Sequence, residues 1–594
     1  MLNHSNRGCA DLLRLKVELP ATCLRRTGVQ LFFACLLLLL VLPTQALPLR
    51  GSWHPAKRAD DANSVRMTAS GSSAIPFDPV RLNAIPAGKN GAWISLQPMS
   101  QARSNDPQPM WPAGDWVLQV KDPGLQTISL FPAQGQPVLN AGVLQPRDGW
   151  QGHGRIGFLV DHAALGNVPL LLRVEPGRVV AAPMRFSFVS PAEFSREDAY
   201  WLALATACFA VMAAMAVMAL LFAVELRDLT FLYYAGYVLA YALILAIQTG
   251  YVAVPLQWTW MAHSANAWGR AATAMSVLFA TLFVARFAEL AHYAPRMRVA
   301  VLTLGYATAV VMSLGSLPVH GLIIVSSLLI NPLLIFGGPL ILAASLLAWW
   351  RGSRYAGFFL LGWTPLLVIT VLGSAQVFGV LSTWMWLGDA GLVTGAFEAL
   401  VLSLGLADRA LALRHDRDIA QALADSDGLT TVFNRRGLDR RVAVLHERAQ
   451  RQRRPLTLLF LDLDRFKVLN DVHGHAAGDA ALVAVARLMR SDMGVEDLLG
   501  RYGGEEFLAA LPGRDLDSAF AIASRICEDL RALGIQLGSP DDVLTASIGV
   551  AQLRRGEDYL ALIERADHAM YVAKGLGGNR ASRDVQADER AIVA

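Results

Sequence analysis

Four carboxylates in the last third of the sequence are spaced so that they could act together. Asp462 and Asp464 close an apolar run, Leu456–Leu461, that reads as a buried strand. Glu505 and Glu506 follow Gly503-Gly504, between the apolar runs Leu498–Tyr502 and Phe507–Leu511, which is the pattern of a β-hairpin. If those strands are neighbours, Asp462 converges with Glu505 or Glu506. Convergent carboxylates at a strand end suit Mg²⁺, a hard cation that takes oxygen ligands and shares them with substrate phosphates. Two such ions can activate an attacking hydroxyl and neutralise a leaving pyrophosphate. Standing alone, the Gly-Gly-Glu-Glu string would be better read as a turn bearing solvated acids.

The string has company. Arg501-Tyr502-Gly503-Gly504-Glu505-Glu506-Phe507 resembles the signature of the diguanylate cyclase (GGDEF) domain family in its GGEEF form, and other blocks agree in order. Asp427–Arg436 is similar to the family's opening D-x-L-T-G-L-x-N-R-R. Asp462–Asp479 is similar to D-x-D-x-F-K-x-x-N-D-x-x-G-H-x-x-G-D. Thr545–Val550 and Tyr571–Lys574 resemble its closing strand and helix, so the likeness covers residues 424–583. It implies a polymerase-palm-like α/β fold and the condensation of two GTP molecules into cyclic di-GMP and two pyrophosphates. It implies that Asp462, Glu505 and the carbonyl of Leu463 hold Mg²⁺, with Mn²⁺ as a substitute. Glu506 would deprotonate the 3′-hydroxyl or hold a second metal. Asn470 and Asp479 would read guanine, with His475 lining the same pocket; a carboxylate accepts from guanine N1–H and N2–H₂, a donor pair adenine lacks. Lys467 and Lys574 would meet phosphates as point charges. Each domain takes one GTP, so a homodimer is implied.

Three positions depart from the family pattern. Thr431 replaces a glycine of the opening block. Gly578 stands where a phosphate-binding arginine is common, although Arg580 follows. The inhibitory product site, R-x-x-D, reads Gly494-Val495-Glu496-Asp497, with the aspartate present and the arginine absent. A catalytically inactive GTP-binding signalling module is therefore the alternative; Gly578 keeps it open, and the presence of Asp462, Glu505 and Glu506 argues against it.

The rest of the chain must position and control this domain. Of 594 residues, 54% are hydrophobic and 17% charged. A soluble protein carries about a quarter charged residues, so the deficit points to a membrane protein. A net charge of +4 is no nucleic-acid signature at this length. Seven apolar segments, at about 199–224, 230–252, 271–290, 299–317, 321–349, 355–380 and 385–407, are each long enough to cross a bilayer. With residues 48–195 outside, the inner connections and the segment after the last helix carry Arg227, Arg286, Arg296, Arg298, Arg351, Arg354, Arg409, Arg414 and Arg417. The outer connections carry only Arg270, which sets the orientation with the C-terminus in the cytoplasm. Glu398 and Asp389 lie in the last segment: Asp389 near the interface, Glu398 deeper, either as a link between ligand state and helix position or as a satisfied packing carboxyl.

Upstream, residues 48–195 hold alternating runs broken by turn residues, which predicts a periplasmic all-β sandwich. None of the 5 cysteines falls there, so it is no disulfide scaffold. Trp93, Trp111, Trp116 and Trp150 could line a ligand site, with core packing the stronger reading for most. The 12-residue run 31–42 after Arg25-Arg26, with Thr44-Gln45-Ala46 beyond it, reads as a signal-peptide core within residues 1–46, an uncleaved anchor being the alternative. Residues 408–426 read as a signalling helix joining the membrane unit to the output domain at 427–583, and 584–594 as a tail. Arg196–Trp201 and Glu225–Asp228, at the first helices, resemble the seven-transmembrane receptors with diverse intracellular signalling modules. That likeness implies a small-molecule or carbohydrate-like ligand for the outer domain and a multi-pass place in the bacterial inner membrane.

Overall fold

The computed structural model describes residues 46–584 except 58–59, 69–73, 86–89, 100–110, 122–126, 133–136, 145–151, 161–167, 176–181, 316–318, 378–385 and 537–542. Trp150 and the apolar run 31–42 lie outside the described residues. The chain divides into two compact units at Leu411.

The first unit opens with ten strands: β1 (Leu49–Pro55), β2 (Ile75–Phe77), β3 (Asn83–Ile85), β4 (Ala92–Pro98), β5 (Trp116–Lys121), β6 (Thr127–Phe131), β7 (Leu139–Gly142), β8 (Arg155–Val160), β9 (Leu170–Val174) and β10 (Ala182–Val189). They form a six-stranded sheet, β2-β1-β4-β9-β6-β7, and a four-stranded sheet, β3-β10-β5-β8. Alternate residues of both, among them Ile94, Leu130 and Leu172 of one and Leu118, Phe158 and Phe186 of the other, share one core. This is the expected open sandwich. Trp93 and Trp111 are 1% and 3% exposed, and Trp116 stacks on Phe188 at 5.4 Å, so these three indoles belong to the packing.

Seven helices long and apolar enough to cross a membrane follow among the described residues: α1 (Pro191–Leu226), α2 (Leu229–Gln248), α3 (Ala265–Phe287), α4 (Pro295–Gly315), α5 (His320–Trp350), α6 (Arg354–Val377) and α7 (Leu387–Asp425). Helix α1 starts where Pro191 fixes its first turn and Ser190 caps it by accepting from the Glu193 N–H. The seventh span and the segment 408–426, read separately in the sequence, form the single helix α7. It is the enclosed helix of the set: its apolar window is 78% buried against 22% for α1. Glu398 of α7 is 1% exposed and accepts from the Tyr237 hydroxyl at 2.7 Å, which makes it a satisfied packing carboxyl. Beside it the Tyr234 hydroxyl donates to the Ala399 carbonyl at 2.6 Å. At the α1–α2 turn, Asp228 caps α2 and pairs with Arg409 at 3.1 Å.

The second unit is a six-stranded sheet, β11-β13-β14-β12-β15-β16. Its strands are β11 (Phe433–Asn434), β12 (Leu456–Asp464), β13 (Leu498–Arg501), β14 (Glu506–Pro512), β15 (Thr545–Gln552) and β16 (Arg580–Arg583), and its helices α8 (Arg435–Gln452), α9 (Phe466–His473), α10 (His475–Ser491), α11 (Leu516–Ala532) and α12 (Tyr559–Gly575). Side chains alternate across β12. Leu459, Leu461 and Leu463 pack with α9, α10 and α11, while Leu456, Leu458 and Phe460 pack with α8 and α12. Gly549 of β15 is required by this second layer: a Cβ there would collide with the α12 backbone at Ala566 and Met570. Being buried on both faces, β12 reads as a nearly continuous apolar run.

Candidate active site

The parity of β12 decides what meets at its end. Asp462 shares the face of Leu458 and Phe460, the face covered by α8 and α12. Antiparallel register sets Asp462 opposite Glu506 on β14 and opposite Ser547 on β15. Directly opposite residues share a face, so the Asp462 and Glu506 side chains emerge together. The Leu463 N–H donates to the Glu505 carbonyl at 3.4 Å, which ties the hairpin tip to the strand end. From α12, the Lys574 ammonium reaches Asp462 Oδ1 at 2.6 Å.

The tip is braced by neighbours from the opening motif. Tyr502 N–H donates to the Glu506 carbonyl at 2.8 Å, and Arg501 grips the Gly504 carbonyl through Nε at 3.0 Å. Arg501 also faces Asp427 at 3.5 Å, and the Arg435 guanidinium lies 4.5 Å from the Tyr502 ring centroid. Asn434 caps α8 and donates through Nδ2 to the Ala424 and Ser426 carbonyls. The opening block thus frames the hairpin without itself supplying the carboxylates.

Asp464 has a different task from Asp462. Its carboxylate accepts from Thr545 Oγ1 at 2.8 Å, Ser547 Oγ at 2.7 Å and the Asn579 N–H at 2.9 Å, binding β12 to β15 and to the turn before β16. Gly578 lies in that turn at φ +72°, with the place of a Cβ only 2.9 Å from Asp464 Oδ2. The missing arginine therefore coincides with a backbone conformation and a close approach that favour glycine. Thr431, the other departure, adopts φ +61°, the left-handed region a glycine would occupy without strain.

Asn470 lies on α9 and His475 and Asp479 on α10, the helices of the opposite layer. The Asn470 side chain is drawn against α10 at Gly478, where a Cβ would strike its Oδ1. His475, Asp479 and Lys467 are exposed. The base-reading candidates thus stand on the helices of the layer opposite to the face that bears Asp462. Lys574, a phosphate contact by sequence, also neutralises Asp462. One residue here has no sequence signal. Arg514, after β14, pairs with Asp497 at 3.2 Å and lies 3.4 Å from the place of a Cβ at Gly494. Only the closing of the sheet brings Arg514 to that position, so no motif announces it.

Burial and mutual charge govern the acids at the strand end. Burial holds the Asp462 carboxyl above the ordinary range, with Lys574 opposing that shift. Burial also raises Glu505 and Glu506, and the Asp462 charge raises both further. As they stand, the described residues include no group of three or more His, Cys, Asp or Glu side chains close enough to hold a metal ion. Asp462 Oδ1 is buried, and its partner is the Lys574 ammonium at 2.6 Å, which supplies the positive charge.

Comparison with known proteins assigns families to two parts of the chain. Residues 424–580 match the family model described as diguanylate cyclase, GGDEF domain. Residues 201–409 match the one described as 7TM diverse intracellular signalling. The chain carries a GGDEF domain and a seven-transmembrane module of the diverse intracellular signalling type. Over 161 residues it is 36% identical to the probable diguanylate cyclase DgcC of Escherichia coli K12, a match covering 27% of this chain and 43% of that protein. Over 170 residues it is 37% identical to the response regulator PleD of Caulobacter vibrioides, covering 28% and 37%. Among solved structures, the active GGEEF domain of a diguanylate cyclase from Vibrio cholerae is 33% identical, with 26% of this chain and 98% of that one covered at a TM-score of 0.25. The match spans less than half the length of those two curated relatives.

Proposed function

We propose that the chain is a membrane-bound diguanylate cyclase, condensing two GTP into cyclic di-GMP under the control of an extracytoplasmic sensor. The observation that carries this reading is the register of Asp462 against Glu506, with Glu505 next to it and all three carboxyls raised by burial and, in the two glutamates, by the charge of Asp462. Partly desolvated acids gathered beside one ammonium fit a divalent cation better than they fit water. Mg²⁺ would be held by Asp462, Glu505 and the Leu463 carbonyl, and when bound would lower the charge on the triphosphate and the leaving pyrophosphate.

The chain's own groups do the remaining work. Glu506, with its raised proton affinity, takes the proton of the 3′-hydroxyl. Asn470 and Asp479 hold the guanine edge, and His475 closes the same pocket. Lys467 and Lys574 meet phosphates, Lys574 by leaving Asp462. One domain presents one GTP, so the attacking hydroxyl and the attacked phosphate come from two chains of a homodimer. The sandwich faces the periplasm and the GGDEF domain the cytoplasm of a bacterial inner membrane. A carbohydrate-like or other small ligand of the outer domain is the input.

The full chain in detergent, given GTP and Mg²⁺, should yield cyclic di-GMP by chromatography, and Glu506→Ala should remove the product. Hairpin closure uses the Glu506 carbonyl, so the variant keeps its fold by circular dichroism. GTP binding without product from the natural chain would instead establish the inactive signalling module.

A further inference from the structure

Helix α7 runs unbroken from Leu387 to Asp425 and carries the chain out of the first unit at Leu411. Whatever moves its inner end moves the segment that enters the cyclase domain. Its partners change along its length. At the outer end the Trp201 indole of α1 donates to Asp389 Oδ1 at 3.0 Å. Farther in, α2 holds it. The Tyr237 hydroxyl donates to Glu398 at 2.7 Å, and Tyr234 bonds the Ala399 carbonyl and lies 2.8 Å from Ser403 Oγ. One turn before Arg409, Gly405 lets α7 lie directly on Phe287 of α3 and Phe358 of α6. A Cβ there would stand 2.7 and 2.9 Å from those rings.

At the inner end one cation is shared. Arg409 Nε pairs with Asp228 Oδ2 at 3.1 Å, while its Nη1 faces Glu289 Oε1 at 3.8 Å. The same guanidinium lies 5.6 Å from the Tyr355 ring centroid, and the neighbouring Asp408 pairs with Arg354 at 3.0 Å. Asp228 belongs to the α1–α2 turn, Glu289 to the α3–α4 turn, and Arg354 and Tyr355 to the start of α6 beside the α5–α6 turn. All three inner turns thus meet α7 at Asp408 and Arg409.

The turns form two bodies. Ser353 Oγ donates to the Ala288 carbonyl at 3.0 Å and Arg351 Nη1 to the Tyr293 carbonyl at 2.7 Å, which ties the α5–α6 turn to the α3–α4 turn. Asp228 belongs instead to α2, which it caps by accepting from the Thr230 N–H at 2.9 Å. Arg409 spans the two. Its 3.1 Å contact is a hydrogen-bonded pair, and its 3.8 Å contact is beyond hydrogen-bond reach. A guanidinium presents its donors as a rigid fork, so a small movement of the helix exchanges one carboxylate for the other. We propose that Arg409 is a two-position latch. Bonded to Asp228, it holds the inner end of α7 to α2. Bonded to Glu289, it holds that end to the α3–α4 and α5–α6 turns, and the two positions give different cyclase output. The last clause rests on the cyclase reading; the exchange of partners does not.

Dipolar electron spin resonance on the full chain in detergent tests this. One label sits at Leu411 of α7 and one at His292 of the α3–α4 turn, both exposed. Incorporating them as non-natural residues leaves the native cysteines in place, and excess unlabelled chain confines the reading to distances within one chain. Asp228→Asn keeps the cap, because asparagine serves there as well as aspartate, and removes the charge. The labels should approach by about 1–2 Å, the usual scale of a helix shift. Glu289→Gln alone should not bring them closer. In the double variant the approach should be lost, because the second partner is gone. Cyclic di-GMP formation by Asp228→Asn should differ from that of the natural chain by about fivefold or more, the low end of ordinary coupling. It should return toward the natural rate in the double variant. An unchanged distance in Asp228→Asn, an approach that persists in the double variant, or an unchanged rate beside an active natural chain would overturn the proposal. A natural chain that makes no product would count against the cyclase reading, and the distances would still decide the latch.

Discussion

Lys574 Nζ lies 2.6 Å from Asp462 Oδ1, and this ion pair joins α12 to the end of β12 at the place where the carboxylates gather. The ammonium offsets the burial of the Asp462 carboxylate. It also competes with any metal for the same atom. Lys574→Met should therefore have two opposite effects. In the absence of nucleotide, Mg²⁺ affinity by calorimetry should rise, by roughly threefold to tenfold for one charge-assisted contact removed. Turnover with GTP should fall, because the same lysine meets a phosphate in the reaction. A variant that binds Mg²⁺ more weakly than the natural chain would show the lysine to be a supporter of the metal site.

The pH dependence follows from the sign of the shifts. Asp462, Glu505 and Glu506 all titrate above their ordinary range, through burial first. Between the unfolded and the folded values the native chain binds more protons than the unfolded one. Stability from these groups thus declines as pH rises through that window and is regained as pH falls. Glu505→Gln removes one such group. The variant should melt higher than the natural protein at about pH 7 without metal, and the gap should narrow toward about pH 5. Mg²⁺ requires the deprotonated acids, so its affinity should fall over the same interval. A gap that widens on acidification would reverse the assignment.

Two positions with positive φ carry opposite expectations. Thr431 holds φ +61° with a branched side chain, and Thr431→Gly should stabilise the domain by about 1 kcal/mol, the approximate cost of a side chain in the left-handed region. Gly578→Arg restores the family's arginine in sequence but not in structure. At φ +72°, with the Cβ 2.9 Å from Asp464 Oδ2, it should cost about 1–2 kcal/mol and loosen the turn that Asp464 anchors. Denaturant melts of both variants, with product yield measured alongside, check the pair.

Much of this was legible in the sequence for a local reason. A strand end and a hairpin tip are short-range patterns, and once two strands are antiparallel neighbours their register brings Asp462 and Glu506 together. The helices of the membrane unit were equally plain, because a bilayer demands long apolar runs. The partners of Asp462 and Asp464 were not legible. Lys574, Ser547 and Asn579 are far along the chain, and only the closure of β15 and α12 onto β12 gathers them. Trp201 and Asp389 are 188 residues apart, and neither residue type alone suggests the other. The tryptophans of the sandwich were the reverse case: their type suggests a ligand surface, and packing consumes the three that are described.

Feedback by product provides a test of Gly494. Asp497 is engaged by the Arg514 guanidinium at 3.2 Å and by the Gly494 N–H at 2.7 Å. A side chain at 494 meets those groups at 3.4 Å, an ordinary contact, so Gly494→Arg should fold normally. The natural chain should be inhibited only weakly by added cyclic di-GMP. Gly494→Arg should lower the inhibitory concentration about a hundredfold, as a bidentate charge-assisted contact is worth a few kcal/mol. Strong inhibition of the natural chain that disappears in Arg514→Ala would mean that Arg514 already fills the role.

Strand β12 lies inside the sheet, paired along its length with β14 on one side and β15 on the other, and all but its last residue are buried. Strands β11 and β16 form the two edges. Amide exchange through local opening begins at edges and reaches interior strands only with global unfolding. The strand bearing Asp462 is thus among the last parts of the domain to open, while the β16 side, held through Asp464 and the 577–579 turn, can fray first. Mild heat or denaturant would then loosen the 577–579 turn that Asp464 anchors before it disturbs Asp462 and the helix α12 packed over it.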